Sequence, residues 1–574
     1  MSIQVPTVRT TVSMPVEHAA IVPGSSREEN VGFAILALIR AYGVDVVFGI
    51  PGTHNLEFYR HLPRLGFRTV TTRHEQGAGY AADGWHQRTR LPGVVITTSG
   101  PGFLNSLAAA GTAYCESRPL IILTPGAPRG SEGVETGALH ATKDQRAAAA
   151  GVVEWARRVS SASEAIEAVH DAFELARSSR PRPVVIEVPL DLLEACANLP
   201  AEALLPRQSS GLPVEVHGAV NAAARPKLTQ PVLDEVEQVA TVLAAARQPV
   251  ILAGSGALPA GRALTELAEL LDAPVITSLN AKGAVPESHP LSIGAELRLD
   301  AARRVANGSD ALLVIGSKIA EAELWGGAIA PSGAMITVDI LPSEERGHLQ
   351  STHAIIGHSA LLVPALIASL RGRALSAEPQ DVEAVRVACA AESSKIALVE
   401  DRLAARLAAV LPSDAVLTGD SSRITYYGMT SRVRSEEPGA FLYMATYATL
   451  GYGLPAAIGA KVASPDRPVI AVVGDGALMF SVQEFQTAVE QRLDLTVICV
   501  DNGGYGEIEQ NQAERGIPPI GVRLTQPDWA ALVDAFGGTG FRVTDAEELE
   551  AVVVRAIAHP GVTLVHVPFG LFGA

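Results

Sequence analysis

The sequence predicts three α/β units in one chain, each a doubly wound parallel sheet with helices on both faces. Two observations carry that prediction. Short apolar, β-branched runs alternate with Ala-rich segments of helical period. The alternation recurs in three blocks, and strands spaced by helical segments imply a parallel sheet with crossover helices. The length of 574 residues agrees, since it allows roughly three to four domains.

Residues 1–28 read as a Pro- and Ser-containing tail with neither an apolar signal core nor a cleavage pattern. The first unit is expected over 29–195. Its strands are expected in "VDVVFGIPG", "FRTVTTRHE", "PGVVITTSGPG", "PLIILTPG" and "PVVIEVP". Residues 196–230 lose the rhythm, gain Pro and Gly, and read as a linker. The second unit, 232–375, carries "PVILAGSG", "PVITSLNAKG", "DALLVIGSK" and "AMITVDI". A polar helical stretch near 378–408 leads into the third unit, 395–574, with "AVLTGDS", "VIAVVGDG", "LTVICVDN" and "TLVHVP". The first and last units read as built alike, and no short solenoid period occurs.

Composition narrows the function classes. Hydrophobic residues make up 48% and charged residues 18%, enough for large cores, and the formal net charge is −16. That charge argues against a nucleic-acid partner and gives no support to membrane binding. Cys115, Cys196, Cys389 and Cys499 have neither zinc spacing nor a disulfide framework. No run of about 18 apolar residues suggests a membrane span. The expectation is a cytoplasmic enzyme acting on a small molecule.

Two strand ends lack any packing purpose. "VIAVVGDG" stops at Gly474-Asp475-Gly476, and "LTVICVDNGGYGEIEQ" turns at Asp501-Asn502-Gly503-Gly504. Ligands of open α/β sheets bind beyond the carboxyl ends of strands. Asp475 and Asn502 are 502 − 475 = 27 residues apart, room for one crossover helix. A carboxylate, an amide oxygen and a backbone carbonyl are hard donors that suit Mg²⁺ or Ca²⁺ beside a diphosphate. Glycines at 474, 476, 503 and 504 let backbone approach phosphate closely. Turn residues alone would also explain each end taken singly.

With these motifs the chain resembles the thiamine-diphosphate (ThDP) enzymes of the acetolactate synthase and 2-oxo acid decarboxylase group, over nearly all of its length after residue 30. Their diphosphate motif begins Gly-Asp-Gly and ends Asn-Asn, whereas this chain has Asp501-Asn502. The resemblance implies ThDP as cofactor and Mg²⁺ held by Asp475, Asn502 and the Gly504 carbonyl. Gly474, Gly476, Ala477 and Tyr505 complete the implied cofactor contacts. "TTRHEQGAGYAADGWHQRT" is similar to the family's catalytic-glutamate segment and places Glu75 against the pyrimidine ring nitrogen. A desolvated carboxyl there shifts the ring to the imino form that removes the thiazolium proton. Leu450, before "GYGLPAAIGA", sits where the family keeps the bulky residue that bends ThDP.

The substrate side is read from the loops. Thr53, His54 and Asn55 follow a strand end where the family handles the substrate carboxylate, and His54 is a candidate proton shuttle; a helix-cap role fits them equally. His140 stands in "GALHATKDQ", where acetolactate synthases carry Phe-Gln, and is a second candidate for catalysis and substrate contact. Glu154 replaces a Lys of those enzymes, and "GSKIAEAELWGG" replaces an Arg-Asp-rich segment of the FAD-binding synthases; both departures argue against bound FAD. The combination looks most like the group that includes 5-guanidino-2-oxopentanoate decarboxylase. Glu507 and Glu509 would then meet a cationic tail, or simply favour the start of a helix. Non-oxidative decarboxylation of a 2-oxo acid is the expected reaction, with an acetolactate synthase-like carboligase as the alternative. The resemblance also implies a homodimer or homotetramer with sites between subunits.

Overall fold

Buried β-branched runs become the strands of three parallel sheets. The computed structural model describes residues 29–207, 228–342 and 350–573, with the backbone of 215–216 and 219–220. The N-terminal tail and most of the linker therefore lie outside the described residues.

The first sheet holds β1 (Val46–Gly49), β2 (Arg68–Thr71), β3 (Gly93–Ile96), β4 (Leu120–Gly126), β5 (Trp155–Arg158) and β6 (Pro183–Pro189), in the order β2-β1-β3-β4-β6-β5. β7 (Glu215–Val216) and β8 (Ala219–Val220) form a short antiparallel pair after it. The central sheet holds β9 (Pro249–Ala253), β10 (Val275–Thr277), β11 (Ser292–Gly294), β12 (Ala311–Ile315), β13 (Ala334–Asp339) and β14 (His353–Ile356), ordered β11-β10-β9-β12-β13-β14. The last holds β15 (Val416–Gly419), β16 (Phe441–Leu442), β17 (Val469–Gly474), β18 (Leu495–Asp501), β19 (Thr539–Arg542) and β20 (Val562–Pro568), ordered β16-β15-β17-β18-β20-β19. The outer sheets thus share one strand order, and the central sheet follows the dinucleotide-fold order.

Each sheet has six strands, more than the sequence suggested in any unit. The unforeseen strands are β5, β11, β14, β16 and β19. β11 has three residues and β16 has two. β5 is only half-buried along its length, and β14 and β19 each have an exposed residue. Edge strands with one wet side lose the apolar signature that marks central ones. The polar stretch before the third unit forms two helices, Val382–Ile396 and Leu398–Ala408.

The first and third units share one continuous core, while the central unit has a separate core on each face of its sheet. The shared core centres on the helix Glu75–Thr89 packed against the helix Gly453–Ala463. Their contact is backbone to backbone. A Cβ at Gly459 would lie 1.8 Å from the Ala81 carbonyl oxygen, and one at Gly84 would lie 2.2 Å from that of Ala456. This packing fixes the helix that begins at Glu75.

Candidate active site

Two clusters form at the carboxyl ends of the outer sheets. In the third unit β17 and β18 are neighbours, with Gly474 opposite Val500, so the segments that follow emerge side by side. Asp475 opens the short helix Asp475–Leu478 and is 1% exposed. Its Oδ1 accepts the Asn502 N–H at 3.2 Å, and its Oδ2 has no hydrogen-bond partner. Burial, then the nearby Asp501 charge, pushes this carboxyl up to about 6. A buried carboxylate oxygen without a donor, beside a like charge, is an arrangement that a cation completes.

Gly504 has φ +145°, and a Cβ there would lie 2.0 Å from the Val522 carbonyl oxygen, so no larger residue fits. Its own carbonyl and the Tyr505 ring crowd Gly476, at 3.2 and 3.0 Å from the place of a Gly476 Cβ. Ala477 is buried in the same turn. Asp475, Asn502 and Gly504 thus supply carboxylate, amide and carbonyl oxygens within one small region, a set that fits Mg²⁺ and a diphosphate. Among the described residues no group of three His, Cys, Asp or Glu side chains could hold a metal. Asp501 accepts from the Gly503 N–H at 2.9 Å and bonds His566 Nε2 at 2.9 Å.

Sequence reasoning missed the loop after β15. Ser422 Cβ lies 3.0 Å from the place of a Gly474 Cβ, which puts this loop against the glycine turn. Asp420 is fully buried and accepts the N–H groups of Gly451 at 3.2 Å and Gly453 at 2.7 Å. It thereby anchors the turn that presents the half-buried Leu450. The signal was present: "TGDSS" ends a strand in Gly-Asp, as "VGDG" does.

In the first unit Glu75 stands at the start of its helix, 7% exposed, and its Oε2 accepts from Asn105 Nδ2 at 3.0 Å. A Cβ at Gly102 would lie 2.8 Å from both Glu75 Oε1 and Thr98 Cγ2. The rings of His54 and His140 are 5.1 Å apart, nearly perpendicular. His54 Nδ1 lies 2.6 Å from Ser99 Oγ, and His140 Nδ1 lies 3.4 Å from Thr98 Oγ1. Burial, and then His140, hold the His54 pKa below its ordinary value and favour the neutral ring. Glu75, His54 and His140 are therefore brought together, with Thr98, Ser99 and Asn105 as partners that the motifs did not single out. Gln145 Oε1 accepts the Gly100 N–H at 2.7 Å and holds this loop in place.

Three of the expected substrate residues are already engaged within the chain. Asn55 is fully buried, accepting the Gly52 N–H at 2.7 Å and donating to the Ile50 carbonyl at 3.0 Å. Its amide is used by its own turn rather than left for a substrate. Glu507 is paired with Arg423 at 2.9 Å and bonded by the hydroxyls of Tyr426 and Tyr427, each at 3.2 Å. Glu509 is paired with Arg523 at 2.7 Å. Both open the helix Gly506–Glu514; Arg523 matches Glu509, whereas Arg423 also serves Glu400 at 2.6 Å, so that one cation faces two carboxylates. Thr53 is exposed beside His54. Among the described residues no hydrogen bond or ion pair joins Glu75, His54 or His140 to Asp475, Asn502 or Gly504.

Comparison with known proteins matches three family descriptions along the chain: thiamine pyrophosphate enzyme, N-terminal TPP binding domain, over 29–148; central domain, over 236–366; and C-terminal TPP binding domain, over 424–567. The chain is 37% identical, over 93% of its length and 93% of the relative's, to the probable 2-ketoarginine decarboxylase AruI of Pseudomonas aeruginosa. It is 28% identical to the acetolactate synthase isozyme 1 large subunit of Escherichia coli, covering 93% of this chain and 92% of that one. A probable acetolactate synthase large subunit of Methanocaldococcus jannaschii is 29% identical, with 91% and 89% covered.

Proposed function

The chain belongs to the thiamine pyrophosphate enzyme family, and on that premise we propose that it is a ThDP- and Mg²⁺-dependent decarboxylase of a 2-oxo acid, releasing an aldehyde. The observation that carries the Mg²⁺ reading is the partnerless Oδ2 of buried Asp475 beside Asn502 and the Gly504 carbonyl. When bound, ThDP supplies a thiazolium that accepts the electrons left as CO₂ departs.

The chain's own residues do the rest. Glu75, withdrawn from water and steadied by Asn105, would face the pyrimidine ring of bound ThDP and supply a carboxyl proton there. His54, favoured in its neutral form by burial and bonded at Nδ1 to Ser99, has Nε2 left to take up a proton and pass it to the product carbon. His140 lies against it and sits in a left-handed backbone conformation, φ +59°. Leu450, on the turn tied down by Asp420, supplies the bulk that shapes the cofactor.

The substrate proposed is 5-guanidino-2-oxopentanoate, on the likeness to the Pseudomonas aeruginosa relative. Glu507, between two tyrosines, remains the carboxylate nearest in kind to what a guanidinium needs, but it already serves Arg423. A carboligase is the second reading, favoured by the acetolactate synthase relatives that align over nearly the whole chain.

The active unit proposed is a homodimer, or a pair of dimers, with each site between two chains. Exposed apolar side chains support it. Leu56 (51%) and Leu104 (41%) flank the Glu75 cluster, and Met479 (45%) and Phe480 (49%) follow the Asp475 turn. Apolar groups of this size on an enzyme's ligand edges suit a covered face. No helix among the described residues is long and apolar enough to cross a membrane.

The test is a panel of 2-oxo acids with purified enzyme, Mg²⁺ and ThDP, following CO₂ and organic product together. Aldehyde in step with CO₂, fastest with the guanidino acid, supports the proposal. A hydroxyketone from one 2-oxo acid establishes the carboligase instead.

A further inference from the structure

Glu484 is fully buried and begins the helix Glu484–Glu490, 484 − 475 = 9 residues after Asp475. Its carboxylate reaches across to the first unit. Both oxygens accept the Arg73 N–H at 3.1 Å, and Oε2 accepts the Thr487 hydroxyl at 2.6 Å. Arg73 and His74 immediately precede Glu75, the first residue of its helix.

N–H groups at a helix start lack partners within the helix and form its positive end. Here the His74 side chain accepts the Gln76 N–H at 3.1 Å. Glu484, 411 residues along the chain from Arg73, takes that residue's N–H, just before. The first turn also rests on it: a Cβ at Gly77 would lie 2.5 Å from Glu484 Oε1. Glu75 is thus flanked by two supports, Asn105 at its carboxyl and Glu484 on the backbone of Arg73 and against Gly77.

We propose that Glu484 is a positioning residue which, from the third unit of its own chain, sets where Glu75 presents its carboxyl. The inference rests on the reading of sites built between chains. On that reading, Glu75 of one chain serves a site whose Asp475 belongs to the other chain. The effect of Glu484 must then be specific to the chain that contributes Glu75. A carboxylate that merely stabilised the fold, or the Asp475 turn beside it, would not act that way.

Mixed dimers test this. They are assembled with two affinity tags, one chain carrying Glu75→Gln and the other Asp475→Ala. One site is doubly damaged; the other is intact, with Glu75 from the Asp475→Ala chain. Recovered activity in this dimer is read first, because its absence overturns the between-chain site and not the contact of Glu484 with Arg73. Glu484→Gln is then added to one chain or the other.

On the Asp475→Ala chain it should slow deuterium exchange at the thiazolium carbon of bound ThDP at least about tenfold, inside the ~10²-fold cost of a displaced catalytic group. ThDP affinity by calorimetry should hold, and the Arg73 amide should exchange faster in cofactor-free protein. On the Glu75→Gln chain the slowing should be smaller by about fivefold or more on the same scale. Equal slowing from both placements, or none from the first, overturns the positioning role. If the Glu484→Gln chains do not assemble, Thr487→Val, which removes the hydroxyl that orients Glu484, is compared in the same two placements with the same criteria.

Discussion

Replacing Asp475 by Asn should make the metal-free protein more stable while destroying its response to cofactor. Burial and the Asp501 charge raise the Asp475 carboxyl from 3.8 to about 6. A difference of that size corresponds to about 3 kcal/mol. The sign follows from the direction. A carboxyl raised in the folded state contributes stability that is complete below its unfolded value and lost as pH rises through about 6. At pH 8 the wild type therefore carries a burden that an uncharged amide does not. The Asp475→Asn variant should gain up to about 3 kcal/mol at pH 8 and nothing near pH 4. With Mg²⁺ and ThDP at a thousandfold over Kd the order reverses, because the wild type gains about 4.1 kcal/mol from binding. Thermal midpoints at several pH values, with and without Mg²⁺ and ThDP, read both effects. A metal-free variant less stable than wild type at pH 8, or one stabilised equally by Mg²⁺ and ThDP, would refute the reading of Asp475 as a buried metal carboxylate.

Glu75→Gln should fold and bind ThDP, yet slow thiazolium-carbon deuterium exchange by about 10²-fold or more, because an amide cannot exchange the proton; near-normal exchange would assign activation to another group. Gly504→Ala places a Cβ 2.0 Å from the Val522 carbonyl oxygen and should lower the thermal midpoint and abolish the shift from Mg²⁺ with ThDP; a wild-type profile in both would remove Gly504 from the site. Glu323 is buried, pushed up to about 7 by that burial, and accepts the Leu279 N–H at 2.7 Å. Its contribution is complete below its ordinary 4.5 and lost as pH rises through about 7. Glu323→Gln keeps an acceptor for Leu279 and should raise the thermal midpoint at pH 8 relative to pH 5; equal differences at both would show that Glu323 does not titrate between those pH values.

The sequence by itself determined the three α/β units and the principal chemistry of both clusters. Central strands such as β4, β12 and β18 are buried on both faces, so their apolar runs are continuous and legible. Ligand positions in such sheets follow strands directly, so Asp475 and Asn502 could be read from strand ends, whereas Glu75 and the Gly504 carbonyl came from the family resemblance. Half-buried β5, β14 and β19 carry polar residues because one side meets water, and the pattern fades there.

Only the tertiary structure decided which side chains were already engaged. Asn55, Glu507 and Glu509 have the chemistry expected of substrate ligands, yet a turn, Arg423 and Arg523 engage them. Asp420, at a Gly-Asp strand end, and Glu484, which has no motif of its own, hold the Leu450 turn and the start of the Glu75 helix. The physical reason is the reach of a hydrogen bond, which ends near 3 Å. Sequence tells what a side chain can donate or accept, but whether that capacity is left for a ligand depends on residues folded to within that distance.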